Sequence, residues 1–160
     1  FDIPDLAIME TNGTLLSVIL HEMAHVMGFG TLWTNNGVYN NGSGQYTGAL
    51  ALSTYRSEFN QPGATSVPVE LGGGGGMANG HWNEVDGGAG PTGLVSNSSG
   101  QDMQFELMTG WLNAGSFISR TTLASFGDIG YDATSVPEPA TMALAGAALV
   151  SMALWRRQRA

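Results

Sequence analysis

Apolar positions along this chain are clustered rather than evenly spread. Between Leu15 and Met27 the apolar residues are Leu15, Leu16, Val18, Ile19, Leu20, Met23, Ala24, Val26 and Met27. They surround almost the whole circumference of a helix, which predicts a helix buried on most sides. Asn12 or Thr14 is placed to cap its start, and Gly28 and Gly30 follow where a helix must stop and turn. Upstream, Phe1 to Glu10 is too short to assign to one element, and Asp2, Pro4 and Asp5 suggest a turn or loop.

Beyond Thr31 the pattern weakens. Asn35-Asn36-Gly37 and Asn40-Asn41-Gly42 are turn signals. Tyr46 to Phe59 predicts a short helix or paired segments, and Val67 to Leu71 a short extended piece. Gly72 to Gly76 cannot be a strand interior, and reads as a spacer in preference to the rim of a cleft. A second loop-rich stretch runs from Gly87 to Gly100. Phe105 to Leu112 is compact and apolar. Ser119 to Phe126 predicts a helix capped by Ser119 or Thr121, with Leu123, Ala124 and Phe126 as its apolar face.

The end of the chain is different in kind. Val136-Pro137-Glu138-Pro139 breaks it, residues 140–155 carry no charge, and Arg156, Arg157 and Arg159 follow. The apolar run is shorter than the roughly 20 residues of an ordinary span. Tilt and snorkelling arginines extend its reach, so it reads as a membrane segment in preference to a buried C-terminal helix. The arginines then place that end on the cytoplasmic side.

Charge sharpens this picture. All thirteen carboxylates precede position 139, where they face only Arg56 and Arg120, and there is no lysine. Such a surface repels nucleic acid, which excludes that class of partner. Solubility is the plain account of the acidity. Asp86, Asp102 and Asp128 are calcium candidates that the sequence does not separate. With no cysteine, disulfides and thiolate ligands are excluded, and zinc must be held by nitrogen and oxygen. At 160 residues, opening at Phe1, the chain reads as one small domain or the later part of a larger one.

Two of the three histidines lie in His21-Glu22-Met23-Ala24-His25. Four residues apart, His21 and His25 share one helix face and can hold one zinc ion, with Glu22 beside it as a base. A catalytic zinc needs a third protein ligand and an open position. His81 is the only histidine left, and the 55 intervening residues are a modest obstacle, since loop closure grows costly slowly with length. Glu58, Glu70, Glu84 and Glu106 are the alternative third ligands. Zinc would acidify a bound water, and Glu22 would take its proton and later return it to the leaving amine.

His21 to Gly30 resembles the active-site helix and turn of metzincin metallopeptidases. Thr31 stands where most of them carry the third histidine. Leishmanolysin-like peptidases carry an insertion before that ligand, and Gly80-His81-Trp82-Asn83-Glu84 resembles their distal segment. Glu106-Leu107-Met108-Thr109-Gly110 resembles their Met-turn, and Ile118 to Tyr131 the helix after it. The resemblance implies an α+β zincin of two lobes with residues 1–135 as a partial catalytic region. It implies zinc on His21, His25 and His81, Glu22 as the base, Met108 as an apolar floor, and Gly28 as the exit from the helix. The family places a twisted sheet and a helix before the active-site helix, whereas twenty residues precede His21, so that lobe is expected upstream or reduced.

Residues 136–160 resemble the PEP-CTERM sorting signal of Gram-negative bacteria. That implies export, membrane anchoring through residues 140–155 and processing by an exosortase. The first functional reading is thus an exported zinc endopeptidase acting on protein or peptide. The second is a non-catalytic matrix or adhesion protein on a degenerate peptidase scaffold.

Overall fold

The computed structural model describes residues 3–85 and 87–132; the expected membrane segment at 140–155 lies outside the described residues. In chain order the elements are α1 (Ile3–Thr11), α2 (Leu15–Val26), β1 (Gln45–Tyr46), α3 (Ala49–Glu58), β2 (Val67–Pro68), a 3-10 turn (Met103–Phe105) and α4 (Arg120–Asp128). β1 and β2 pair antiparallel, with Tyr46 opposite Val67. Among the described residues no helix is long and apolar enough to cross a membrane. This is a small mixed helix and strand structure, with loops between short elements.

The core is built on aromatic rings. Trp82 packs 5.0 Å from Phe29, 4.9 Å from Trp33 and 5.2 Å from Tyr46, measured between ring centroids, and all four are fully buried. Rings of this size bury more apolar area than any other side chains, so a few of them suffice where regular structure is scarce. Trp82 is also tied by its Nε1–H to Thr122 Oγ1 at 2.8 Å, and by its backbone N–H to the Met108 carbonyl at 3.0 Å. The residue after His81 is therefore held on several sides.

Three expectations need correction. The segment expected as a turn or loop at the N-terminus is helix α1. Pro4 lies in its first turn, where the missing N–H has no helical partner, and Asp5 favours the positive end of the helix. Second, α2 forms as expected but is not buried on most sides. Ala24 is its one buried residue, while Leu16 is 68% and Val26 88% exposed. Its apolar flank lines a groove of about 440 Å³, in which Leu20, Met23 and Met27 face Ile118, Leu123 and Phe126. Apolar character all round shows what a helix can bury, not what covers it.

Third, α4 also turns a polar face inward. Of its expected apolar face, Ala124 and Phe126 pack against the core but Leu123 is exposed, whereas Thr121, Thr122 and Ser125 are buried. The cause is a pair of buried carboxylates at the start of the helix. Glu58 accepts from the Arg120 and Thr121 N–H groups at 3.1 and 2.8 Å, and from the Thr121, Ser96 and Ser98 hydroxyls. Glu106 accepts from the Ser119 N–H and the Ser119 and Thr122 hydroxyls. Two anions thus meet the N–H groups that a helix leaves unsatisfied at its positive end. Ser119 caps α4 as expected, accepting from the Thr122 N–H at 2.9 Å.

Candidate metal centre

α2 puts His21 and His25 one turn apart, and the loop before Trp82 brings His81 to them. The three Nε2 atoms form a nearly equilateral triangle: 3.1 Å between His21 and His25, 3.0 Å between His21 and His81, and 2.9 Å between His25 and His81. Each ring is fixed from behind by a backbone carbonyl. Nδ1 of His21 lies 2.7 Å from the Leu107 oxygen, Nδ1 of His25 2.9 Å from that of Phe29, and Nδ1 of His81 2.9 Å from that of Met77. A carbonyl only accepts, so each Nδ1 must carry the proton.

That assignment decides the chemistry. In a neutral ring with the proton on Nδ1, Nε2 presents a lone pair. Three lone pairs then point at one another with no proton between them, so the short contacts are not hydrogen bonds. Charging His21 and His81 is also disfavoured. Burial lowers the pKa of His21, against the pull of the Leu107 carbonyl, and the neighbouring His25 lowers it further. Burial pushes His81 down to about 4, with His25 and His21 adding to the effect and the Met77 carbonyl opposing it. Three converging lone pairs call for a cation. Zinc about 2.0–2.1 Å from each nitrogen would space a tetrahedral set about 3.3 Å apart, within a few tenths of an ångström of the observed triangle. The three residues can hold a metal ion. The carbonyls behind them are the partners that orient metal-binding imidazoles.

Glu22 is exposed and lines, with His25, a polar cleft of about 430 Å³. Gly30, Thr31, Gly76 and Asn79 are among its other walls. Gly76 belongs to the glycine run read as a spacer. The end of the run at Gly76 instead lines the cleft, and it leads into Met77, whose carbonyl holds His81. Met108 is fully buried, one residue after the Leu107 carbonyl that fixes His21. Gly28 leaves α2 at φ +113°, a conformation open to glycine, and packs on Leu32 and Ile129.

The glutamates weighed as third ligands do not join the triad. Glu58 and Glu106 hold the start of α4. Glu70 accepts from the Gly72 and Gly87 N–H groups, and Glu84 from that of Gly90. Of the calcium candidates, Asp128 accepts from the Leu50 and Ala51 N–H groups at the start of α3, and Asp102 from those of Thr92, Gly93 and Gln104. Asp86 lies outside the described residues.

Sequence reasoning missed what stands behind the ligands. Leu107, Phe29 and Met77 act through main-chain oxygens, which leave no mark on residue type. Gly30 was visible only as a helix stop. Its larger role is to let the chain at Gly80 come against it, one residue before His81.

Residues 135–158 match the PEP-CTERM protein-sorting motif. The C-terminal segment is therefore a sorting signal of the exported, exosortase-processed type. No characterised protein and no solved structure matches the chain.

Proposed function

We propose that this chain is a zinc-dependent metalloendopeptidase of leishmanolysin-like type, exported and then anchored at or released from the cell surface. The observation that supports this most is the closed set of tautomers: three Nδ1 protons directed to carbonyls and three Nε2 lone pairs converging. Glu22 on the same cleft as His25, a cleft of about 430 Å³ with a polar lining, favours hydrolysis over a purely structural metal. The order of the pieces also supports it: a helix with two ligands, a glycine exit at Gly28, distal His81, then a turn around Met108.

Zinc bound at the triad would acidify a water and polarise the scissile carbonyl. Glu22 would take the proton from the attacking water as it adds to the peptide carbon. The same carboxyl group then delivers the proton to the leaving nitrogen as the C–N bond breaks, giving a free acid and a free amine. The cleft walls at Gly30, Gly76 and Asn79 would align the peptide beside Glu22. The sorting motif supports export and processing near Pro137-Glu138-Pro139, with residues 140–155 as the anchor before release.

The test is metal content by elemental mass spectrometry on wild type and His81→Ala, together with cleavage of an unfolded protein. The reading expects about one zinc per wild-type chain, lost in the variant, and zinc-dependent cleavage. No zinc in a folded, metal-supplied wild type would overturn it in favour of a non-catalytic surface scaffold.

A further inference from the structure

Behind the histidines, two more carboxylates are buried with oxygen atoms left over. Glu70 follows β2 and is wholly inaccessible. Its Oε1 accepts from the Gly72 and Gly87 N–H groups, but its Oε2 has no hydrogen-bond partner. Glu84, 7% exposed, accepts from the Gly90 N–H through Oε2 at 3.1 Å; Thr109 and the Trp111 N–H also lie close enough to favour its charged form, but no hydrogen bond of adequate geometry reaches its Oε1. The two carboxylates are near enough for the charge of Glu70 to act on Glu84.

No cationic side chain among the described residues is paired with them. The chain has no lysine. Arg56 donates through Nε to the Ala64 carbonyl, and Arg120 is engaged with Asn97 and Glu58. Buried anions are ordinarily paired or bound to metal. The surrounding backbone is also drawn in tightly: a β-carbon on Gly72 would lie 2.5 Å from the Gly87 Cα and 2.9 Å from Glu70 Oε1. Glycine at that position lets the two loops close around the carboxylates.

We propose that Glu70 and Glu84 bind one calcium ion, which clasps the turn at Glu70–Gly72 to Glu84 and to Gly87. The donors are oxygens on irregular loops, which suits a cation that accepts varied geometry and six to eight oxygen ligands, including carbonyls and water. Magnesium demands a near-ideal octahedron and suits such loops less well. The ion would also brace the metal centre from behind, because the Glu70 N–H donates to the His81 carbonyl at 3.0 Å and the Glu70 carbonyl accepts from the Asn79 N–H at 2.7 Å. The site does not depend on what the histidines catalyse.

The full chain, stripped with chelator and reloaded with zinc, is titrated with calcium and separately with terbium, whose emission nearby tryptophans such as Trp82 and Trp111 sensitise. The proposal expects about one calcium per chain, a melting temperature roughly 5 °C higher in millimolar calcium than in EGTA, and terbium emission that calcium quenches. It expects Glu70→Gln and Glu84→Gln each to abolish these responses. Equal melting in calcium and EGTA, or calcium retained by a folded Gln variant, would overturn it. If the variants do not fold, terbium-soaked wild-type crystals decide: an anomalous peak between Glu70 and Glu84 supports the site, and a peak elsewhere or none refutes it. Zinc is measured in the same samples, so failure of the peptidase reading shows as zinc lost with calcium kept.

Discussion

Gly30 and Gly80 touch through their backbones: a β-carbon on Gly30 would lie 2.6 Å from the Gly80 carbonyl oxygen and 2.8 Å from its Cα. Gly30 also sits at φ +73°, where any other L-residue is strained by about 1–2 kcal/mol. The contact joins the turn after α2 to the residue before His81, and so joins two ligands to the third. Gly30→Ala is expected to lower zinc affinity at least tenfold, read by competition with a chromophoric chelator. Gly37→Ala is the control. Its φ is +70°, but a β-carbon there meets nothing within 4 Å, so it should cost backbone strain alone and leave zinc affinity unchanged.

Glu22 and His81 should separate chemistry from binding. Glu22→Gln keeps all three nitrogens, so zinc content is expected to be unchanged while kcat falls at least a hundredfold. His81→Ala removes one of three ligands and should lose tightly bound zinc. A Glu22→Gln variant that cleaves as fast as wild type would remove Glu22 as the base.

How much of this was legible beforehand differs from element to element. The pairing of His21 with His25 could be read because helical spacing is local. His81 could be read by elimination, and the start of α4 from Ser119. The inward polar face of α4 could not. Thr121 and Thr122 are buried because Glu58 and Glu106 wait for them, and Glu58 lies 63 residues away in sequence from Thr121. The exposure of α2 was hidden for a related reason. Periodicity reports the apolarity of Leu16 and Val26, whereas burial depends on what else reaches them.

Glu58 gives the fold an acid limit. Burial alone would raise its pKa, but hydrogen bonds from Ser98, Thr121 and Arg120 outweigh that and hold the carboxyl below its ordinary 4.5. The unfolded chain then binds the extra proton first. The stabilising contribution is complete above pH 4.5 and is lost as pH falls through the depressed folded value. Glu58→Gln should destabilise the protein by about 2–4 kcal/mol at neutral pH, since the amide group meets donors where a carboxylate accepted. It should also flatten the acid limb of a urea-denaturation series, and an unchanged limb would assign that limb to other groups.

Zinc should leave on acidification, but later than free imidazole predicts. Protons and metal compete for the same Nε2 lone pairs. His21 titrates below 6.5 and His81 only near 4, so the part of the affinity loss that comes from these two rings should be gradual and extend down toward pH 4. Zinc-competition isotherms between pH 4 and 8 would check this.

The three carbonyls behind the histidines come from separate stretches of chain: Phe29 just after α2, Met77 at the end of the glycine run, and Leu107 after the 3-10 turn. If any one of these turns shifts, its ring is free to rotate or to move its proton to the other nitrogen, and a lone pair leaves the triangle. With zinc on the proposed site, metal affinity would report on the closure of loops that carry no spectroscopic label of their own. A single zinc titration would then serve as a fold assay for the three turns that supply these carbonyls.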